Sequence, residues 1–205
     1  SPIVFSEKDA RKSNEPVIYT NYPGEEVIIS GGEKIHPKWE TYQGKILKAR
    51  MDGELIFDQL FVNEDLQRMA RYPNYDSKSS HFGGYSKDVL SPQKIAGWKN
   101  PTGAFIHALH KHEWGGYHYQ VTGKDENGGL KLEGGYQNNR QMGMHDEYRF
   151  IENVREELDD PGEWFFDQQE KVLYLIPKSG QNIETATMVV PQIKHLFEFR
   201  GSESS

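Results

Sequence analysis

Apolar residues in this chain come in short runs that are rich in valine, isoleucine, tyrosine and phenylalanine. Glycine and proline, 20 and 10 residues in all, separate these runs. Short strands punctuated by turn residues in this way are typical of a β-sandwich or another all-β architecture. The pattern therefore predicts strands at 17–20, 27–30, 45–49, 55–57, 59–62, 104–112, 117–122, 130–132, 163–167, 172–176, 188–190 and 195–199.

The densest apolar stretch is EWFFDQQEKVLYLI, residues 163–176. Two runs of side chains that alternate between faces flank a polar turn, which predicts a hairpin. Trp164 and Phe166 share one predicted face and Phe165 lies on the other, so we expect both faces to be covered. Pro161-Gly162, just before the first arm, suits the central positions of a type II turn.

Three polar segments predict turns between the earlier runs. Asn21-Tyr22-Pro23-Gly24 has the composition of a turn, and Asp52-Gly53 predicts a hairpin between the two runs beside it. Asn63-Glu64-Asp65 has two interpretations, because it suits a hairpin turn and also the cap of a short helix over 66–70. The hairpin is the favoured interpretation.

One segment departs from the β pattern and predicts a helix. Asn153 and Glu156 match a capping box, in which the first side chain caps the helix and the second reaches back to it. Apolar residues at 150, 151, 154 and 158 are spaced for one helical face. The helix is expected to end near Asp159, because the residue before Pro161 disfavours the helical conformation.

Residues 72–103 predict a long loop, with turn-forming pairs at Gly83-Gly84 and Ser91-Pro92. Loops of this length are uncommon in compact domains and are often functional. Its aromatic and histidine side chains suit the border of a cleft, but the favoured interpretation is a loop held down by its own side chains. These side chains are Tyr72, Tyr75, His81, Phe82, Tyr85 and Trp98.

Composition narrows the classes of function. The 205 residues carry a net charge of −7, and the 24 basic residues are spread along the chain. A nucleic-acid surface needs clustered lysine and arginine, so no nucleic-acid partner is expected. No apolar run approaches the ~20 residues of a membrane-spanning helix. The chain has no cysteine, which excludes disulfides and thiolate chemistry.

Several blocks of the chain, in order, resemble a family of secreted bacterial proteins. Those proteins have a right-handed parallel β-helix interrupted by an inserted β-sandwich, and several are glycoside hydrolases of families 120 and 141. The block at 150–177 carries most of the resemblance. The block at 60–74 departs from the family at Glu64, which follows Asn63 in a turn where the family usually has glycine. The blocks are PVIYTNYPGEEVIISGG (16–32), LFVNEDLQRMARYPN (60–74), HEWGGYHYQV (112–121), FIENVREELDDPGEWFFDQQEKVLYLIP (150–177) and IKHLFEFRG (193–201).

The resemblance implies a mainly β fold in three parts: β-helix entry strands at 1–32, an inserted β-sandwich at 33–188 and a return strand at 189–205. It implies a parent protein that is extracellular, periplasmic or on the cell surface and that hydrolyses plant-type poly- or oligosaccharides. The catalytic carboxylates of such enzymes come from later β-helix coils. This chain is therefore expected to be a non-catalytic part that shapes the substrate cleft and packs on the rest of its β-helix. Two alternatives stay open: a self-contained carbohydrate-binding module and a purely structural packing domain.

An acidic run at 156–163 is the first place to look for hydrolytic carboxylates. Glycoside hydrolysis needs two, about 5–5.5 Å apart with retention or about 6.5–9.5 Å apart with inversion. Nothing in the run distinguishes a protonated acid from an ionised nucleophile, so we interpret it as capping, turn-forming and solvated residues. We therefore assign no catalytic role to Glu156, Glu157, Asp159, Asp160 or Glu163.

Four histidines lie close together in the chain, at His107, His110, His112 and His118. Zinc needs three or four convergent ligands, and the chain has neither an HExxH motif nor a cysteine. We therefore predict no metal and no cofactor. The histidines are interpreted as surface or hydrogen-bonding groups, with sugar contacts through the ring nitrogens as the alternative.

The segment WGGYHY at 114–119 places large rings beside glycines, which let a ligand approach closely. A sugar ring rests its C–H face on an aromatic plane, while its hydroxyls need polar partners. Trp114 is the candidate platform, and the resemblance implies that it lies on the rim of the β-helix cleft. The alternative is that Trp114 packs in the sandwich core. The predicted carbohydrate site consists of His112, Glu113, Trp114, Tyr117 and His118.

Overall fold

The structure is a computed structural model that describes residues 1–10, 15–53, 55–136 and 142–201. In these residues strands carry the fold and helices are few, which confirms the prediction of a mainly β chain. The helical elements are α1 (Pro92–Gly97) and 3-10 turns at Glu7–Asp9, Lys87–Leu90 and Arg155–Glu157. No helix in the described ranges has the length and apolarity to cross a membrane. The strands are β1 (Ile3–Ser6), β2 (Gly32–Ile35), β3 (Glu40–Gln43), β4 (Ile46–Arg50), β5 (Leu60–Val62), β6 (Asp65–Met69), β7 (Arg71–Tyr72), β8 (Phe105–His110), β9 (Gly116–Lys124), β10 (Leu130–Gly134), β11 (Met144–Glu152), β12 (Glu163–Asp167), β13 (Val172–Leu175), β14 (Met188–Pro191) and β15 (Phe197–Arg200).

Within the described residues, the strands form two large sheets and one small one. The larger sheet has eight strands in the order β2-β14-β5-β6-β12-β13-β4-β3, and the second has five in the order β10-β9-β8-β11-β7. In both, neighbouring strands run antiparallel except for the parallel pair β6–β12. Each large sheet has its own core cluster, so the hydrophobic interior is divided between them.

The predicted hairpin of β12 and β13 is confirmed and lies inside the eight-stranded sheet. Trp164 pairs with Leu175, and β6 and β4 flank the hairpin on its two sides. One face packs into the main core, where Trp164 is 1% exposed and Leu175 is fully buried. The opposite face is covered by a smaller cluster that contains Tyr174 and Ile176. Both faces are therefore buried, and each large apolar side chain contributes roughly 1.5–3 kcal/mol.

Two predicted turns form as expected. In the turn before β12, Gly162 has a φ of 86° and the Glu163 N–H donates to the Asp160 carbonyl at 3.2 Å, as the type II prediction requires. Between β5 and β6, Asn63 and Glu64 have φ values of 50° and 69°. Two consecutive positive φ values characterise a type I′ hairpin turn, so the hairpin interpretation of that segment is confirmed.

The chain passes from the larger sheet to the five-stranded sheet at Ala70, between β6 and β7. Ala70 is fully buried, and its N–H donates to the Trp164 carbonyl at 2.8 Å. Its carbonyl accepts from the Val154 N–H at 3.3 Å. Ala70 therefore joins the two sheets through backbone hydrogen bonds. Because its side chain is fully buried, the site leaves no room for a larger residue.

The 72–103 segment is held down by its own side chains and by those beside it. The Arg71 guanidinium donates to three carbonyl oxygens of the segment, at 2.9, 3.0 and 2.9 Å. Trp98, 1% exposed, donates its indole N–H to Glu157 at 2.6 Å, and Lys94 binds the same carboxylate at 3.0 Å. Trp98 thus belongs to the core of the five-stranded sheet. The segment is thus packed down as the favoured interpretation predicts, but it is not a loop throughout, because it contains α1 and the 3-10 turn Lys87–Leu90.

The predicted helix over 150–158 is wrong. Its first residues continue as β11, which pairs with β8, and helical geometry is confined to the 3-10 turn Arg155–Glu157. Asn153 has a φ of 62°, and its side chain donates to the Gly103 carbonyl at 3.0 Å rather than capping a helix. Phe150 and Ile151 are both buried, on opposite faces of the strand, which imitates helical spacing. Pairing with β8 decides the conformation.

Three other predicted strands, at 17–20, 27–30 and 55–57, are not formed. The turn at 21–24 between the first two does form. β-Branched residues favour a strand when a neighbouring strand supplies hydrogen bonds, and no strand pairs with these segments among the described residues. The side chains at 17–20 and 27–30 are open, with Ile18 78% exposed, whereas Phe57 packs in the main core and is 7% exposed.

β1 and β15 form a separate parallel pair. Phe5 on β1 stacks on Phe199 and Phe197 of β15, with ring centroids 5.1 and 6.1 Å apart, and meets Tyr19 edge-on at 4.7 Å. Phe199 is nevertheless 79% exposed. The two ends of the described chain therefore meet in one small sheet that presents aromatic surface to solvent.

Candidate functional site

Four of the five predicted carbohydrate residues lie at or beside the turn from β8 to β9. The His110 N–H donates to the Gly115 carbonyl and the Glu113 N–H to the His110 carbonyl, each at 2.7 Å, which closes the turn. Glu113 adopts a left-handed conformation with a φ of 58°. Trp114 follows it and is 73% exposed. The alternative that Trp114 packs in the sandwich core is therefore wrong, because the turn carries the indole out of the sheet.

The exposed indole is held by a stack of rings. Trp114 lies flat on His110, with ring centroids 5.4 Å apart and an interplanar angle of 5°. His110 is 7% exposed and also touches the Tyr117 and His112 rings, at 5.7 Å each. The His112 N–H donates to His110 Nδ1 at 2.9 Å, so a neutral His110 carries its proton on Nε2. The stack orders Trp114 and leaves most of its surface open.

Glu113 and Tyr117 flank this stack in different ways. Tyr117 is 7% exposed, and its hydroxyl finds no hydrogen-bond partner in the described part of the chain. Glu113 lies 3.7 Å from His145 Nε2, and both His145 and His81 stack on Tyr148 with centroids 4.4 Å apart. Tyr117 therefore supports the stack from inside, whereas Glu113 connects it to a second group of rings at the surface.

Sequence reasoning missed His145 and Tyr148. They reach the turn because β11 pairs with β8 and places Met144 opposite His110. The register shifts between Met144 and Arg149, so counting along the strand does not show which side chains meet. The signal available in the sequence is the alternation of apolar and polar residues in 144–152, which predicts a strand. The helical spacing of apolar residues at 150–158 obscures it.

His118 lies apart from the Trp114 stack. Neighbouring residues of a strand point to opposite faces, so His118 leaves the sheet on the side opposite Tyr117. There His118 Nδ1 lies 2.7 Å from His107 Nδ1, and His107 Nε2 lies 2.8 Å from Glu152 Oε1. The structure thus divides the predicted site into a Trp114 group and a separate His118 position. Glu152 was also missed, since only the β8–β11 pairing brings it to His107.

A depression of about 430 Å³ opens beside His118, between β9 and the end of β10. We call it the His118 depression. Its lining includes Glu133, Gln120 and Tyr136, and Tyr136 is 84% exposed. Aromatic rings and polar side chains with both donors and acceptors therefore meet at this place.

A larger open groove, of about 1750 Å³, is lined by residues of both large sheets. Three of its acidic side chains are engaged locally. Glu156 accepts from the Lys99 N–H at 3.0 Å, Asp159 accepts from the Asn74 side chain at 2.8 Å, and Asp167 caps the β12–β13 turn. The interpretation of the acidic run as solvated capping and turn residues is therefore only partly correct, because Glu157 is buried and binds Trp98 and Lys94, and Glu163 is buried as well.

Glu163 is the carboxyl group whose environment is most altered. It is 2% exposed, and burial raises its pKa to about 7 although the Asp160 and Asp159 N–H groups, each 3.2 Å from Oε2, oppose the rise. Its Oε1 has no hydrogen-bond partner among the described residues. Glu163 lines neither the groove nor the His118 depression, so its role is inside the fold.

Comparison with known proteins finds a similarity, and it is to the fold of a solved structure. No protein-family model matches the chain, and no curated protein matches its sequence. A solved structure named glycoside hydrolase superposes on 98% of this chain with a TM-score of 0.71 and 20% sequence identity. The fold resembles part of a glycoside hydrolase. The chain spans 38% of the length of that protein, and at this identity the likeness concerns the fold.

Proposed function

We propose that this chain forms a non-catalytic wall of the carbohydrate cleft of a longer, secreted β-helix glycoside hydrolase that acts on plant-type poly- or oligosaccharides. The observation that carries the proposal is Trp114, an indole that is 73% exposed yet held flat on His110, within a fold shared with part of a glycoside hydrolase. A sugar ring stacks its C–H face on such a plane. Because the indole is already ordered, binding costs little side-chain entropy.

Polar groups around Trp114 suit the hydroxyls of a sugar. His112 is exposed and its ring centroid lies 5.8 Å from that of Trp114. Glu113, next in the chain, offers carboxylate oxygens that accept hydrogen bonds from hydroxyl groups. An aromatic plane with a donor and acceptors at its edge is a binding surface of the kind that fixes a sugar in one orientation.

The proposed partner of this chain is the rest of its own β-helix. The parallel pairing of β1 with β15 and the ring stack of Phe5 on Phe199 support it, because a parallel β-helix stacks successive strands in this way. The exposed apolar side chains of residues 17–29 also support it, since a patch of this kind marks an interaction surface. The same patch favours the purely structural packing domain as the second candidate.

In this proposal the hydrolysing carboxylates belong to other parts of the longer protein. The isolated chain is therefore expected to release no product from aryl xylosides or fucosides. Turnover of either substrate by the isolated chain would contradict the non-catalytic role.

Nuclear magnetic resonance titration with xylo- and fuco-oligosaccharides tests the wall itself. We expect the Trp114 indole N–H and the His112 resonances to shift with millimolar affinity, and Trp114→Ala to abolish the shift at His112 while the protein stays folded. Tyr22→Ala, which removes another exposed ring at 74% exposure, is the matched control and should leave the titration intact. Micromolar affinity would instead favour a self-contained carbohydrate-binding module. If none of the sugars changed the spectrum, the purely structural packing domain would be the remaining candidate.

A further inference from the structure

A continuous chain of three hydrogen-bonding side chains crosses the five-stranded sheet on the face away from the Trp114 stack. Glu152 Oε1 lies 2.8 Å from His107 Nε2, and His107 Nδ1 lies 2.7 Å from His118 Nδ1. The side chains of His107 and Glu152 are 19% and 26% exposed, whereas His118 is exposed. The chain therefore leads from a shielded carboxylate to a ring at the surface.

The strand register holds this chain in place. His107 sits directly opposite His118 on β9 and opposite Phe150 on β11. The His107 ring stacks on Phe150 with centroids 4.6 Å apart and an angle of 12°. The Arg71 guanidinium lies against the same Phe150 ring, 4.1 Å from its centroid. His107 is therefore fixed between a packed aromatic ring and two hydrogen bonds.

The hydrogen bonds determine the tautomer of each ring. The Glu152 carboxylate accepts, so His107 Nε2 must carry a proton. A neutral His107 then has its lone pair on Nδ1, and His118 Nδ1 must donate to it. His118 Nε2 is left with a lone pair, and no residue in the described part of the chain donates to it.

We propose that His118 Nε2 is a fixed hydrogen-bond acceptor that binds a hydroxyl of a sugar or another polyol in the His118 depression. Tyr136 offers an exposed ring there, and Glu133 and Gln120 offer further hydroxyl partners. The class of ligand rests on the proposed function, whereas the orientation of the acceptor rests on the hydrogen-bond chain with both histidines neutral.

The end of β10 is shaped for this depression. Gly134 has a φ of 124°, and a Cβ at that position would collide with the His118 carbonyl oxygen. A Cβ on Gly135 would collide with the Tyr119 ring. Glycine at both positions therefore lets the backbone pass close against β9, so that Tyr136 is delivered to the rim next to His118.

The first experiment measures the tautomers without any sugar. In ¹⁵N-labelled protein, with both rings neutral, we expect His118 to be protonated on Nδ1 and His107 on Nε2. Glu152→Leu removes the obligate acceptor, so the direction of the chain is no longer fixed and His118 should become a mixture of both tautomers. Glu147→Leu, the same substitution at an exposed position of the same strand, should change neither ring. A wild-type His118 protonated on Nε2 would overturn the proposal, as would an unmixed His118 in Glu152→Leu.

If Glu152→Leu fails to fold, His107→Leu breaks the same chain and should give the same mixture of His118 tautomers. An unmixed His118 in that variant would equally overturn the proposal.

The second experiment uses xylobiose as the probe and follows the His118 ring resonances. We expect a saturable shift that persists in Trp114→Ala, and a Kd raised roughly 3- to 10-fold in His118→Phe, the loss of about one hydrogen bond. A shift at Trp114 with none at His118 would overturn this inference and leave the proposed function standing. A shift at His118 with none at Trp114 would contradict the proposed sugar-binding role of Trp114 and leave this inference standing.

Discussion

Two hairpins of similar local design have opposite fates in this protein. The β12–β13 hairpin and the β8–β9 hairpin each join antiparallel strands through a turn with one non-glycine residue at positive φ, Lys171 at 54° and Glu113 at 58°. Each contains a tryptophan. Trp164 is 1% exposed in the first hairpin, and Trp114 is 73% exposed in the second.

The difference comes from what covers each face. Both faces of β12–β13 carry apolar side chains, and separate core clusters bury them. On β8–β9 one face carries Ile106 and Val121 into a core, while the other carries His107 and His118. The tryptophan of the first hairpin lies within a strand, and that of the second lies in the turn. In the exposed hairpin, one face of the strands therefore supplies the core, whereas the turn carries the tryptophan into solvent.

The largest expected effect is the loss of stability when Trp164, but not Trp114, is removed. Trp164→Ala should lower the free energy of unfolding by about 3–5 kcal/mol, because it leaves a cavity beside Phe57 and removes the hydrogen bond from the indole to the Gln67 carbonyl. Trp114→Ala should change it by less than about 0.5 kcal/mol, since the indole is mostly solvated. Urea denaturation of the two variants measures both values. Equal losses would show that the two hairpins do not differ in the way their burial indicates.

A pH effect should follow from Glu163, the first residue of the covered hairpin. Burial raises its pKa from 4.5 to about 7, so the folded state favours the protonated form. Its contribution to stability is complete below pH 4.5 and is lost as the pH rises to about 7. A shift of this size corresponds to about 3 kcal/mol. The free energy of unfolding should therefore fall across this window.

Glu163→Gln isolates that effect, because the amide stays neutral at every pH. We expect the variant to lack the decline between pH 4.5 and about 7 and to be the more stable protein above it. Glu147→Gln, which changes an exposed carboxylate, should keep the wild-type pH profile. A wild-type profile in Glu163→Gln would assign the decline to other groups.

The sequence was informative where neighbouring residues decide the structure. The β12–β13 hairpin was predictable because apolar side chains on both faces need cover whatever the topology. The hairpin at Asn63-Glu64 and the turn at Gly162 were predictable because short-range backbone preferences suffice. The helix prediction at 150–158 failed because pairing with β8 outweighs a local spacing pattern.

The candidate site was less predictable because it depends on register. His107, His110 and His118 are close in the chain, yet they belong to two separate groups. His110 stacks with Trp114 on one face of the sheet, and His107 pairs with His118 on the other face. Glu152 joins His107 only through the pairing of β11 with β8. The exposure of Trp114 depends on the turn geometry, which residue type alone does not fix.

The smallest expected effect compares the two turns directly. A non-glycine residue at positive φ is strained by roughly 1–2 kcal/mol, and glycine relieves that strain at an entropic cost of roughly 0.5–1 kcal/mol. Lys171→Gly should therefore stabilise the protein by about 0.5–1 kcal/mol, whereas Lys171→Ala keeps the strain and should not. Glu113→Gly should gain nearly as much, because an exposed ion pair such as Glu113 with His145 contributes little. Thermal unfolding of the three variants checks this. A loss of stability in Glu113→Gly alone would mean that the Glu113–His145 contact holds the Trp114 turn in place, so that the exposed hairpin, like the buried one, is fixed by its side chains.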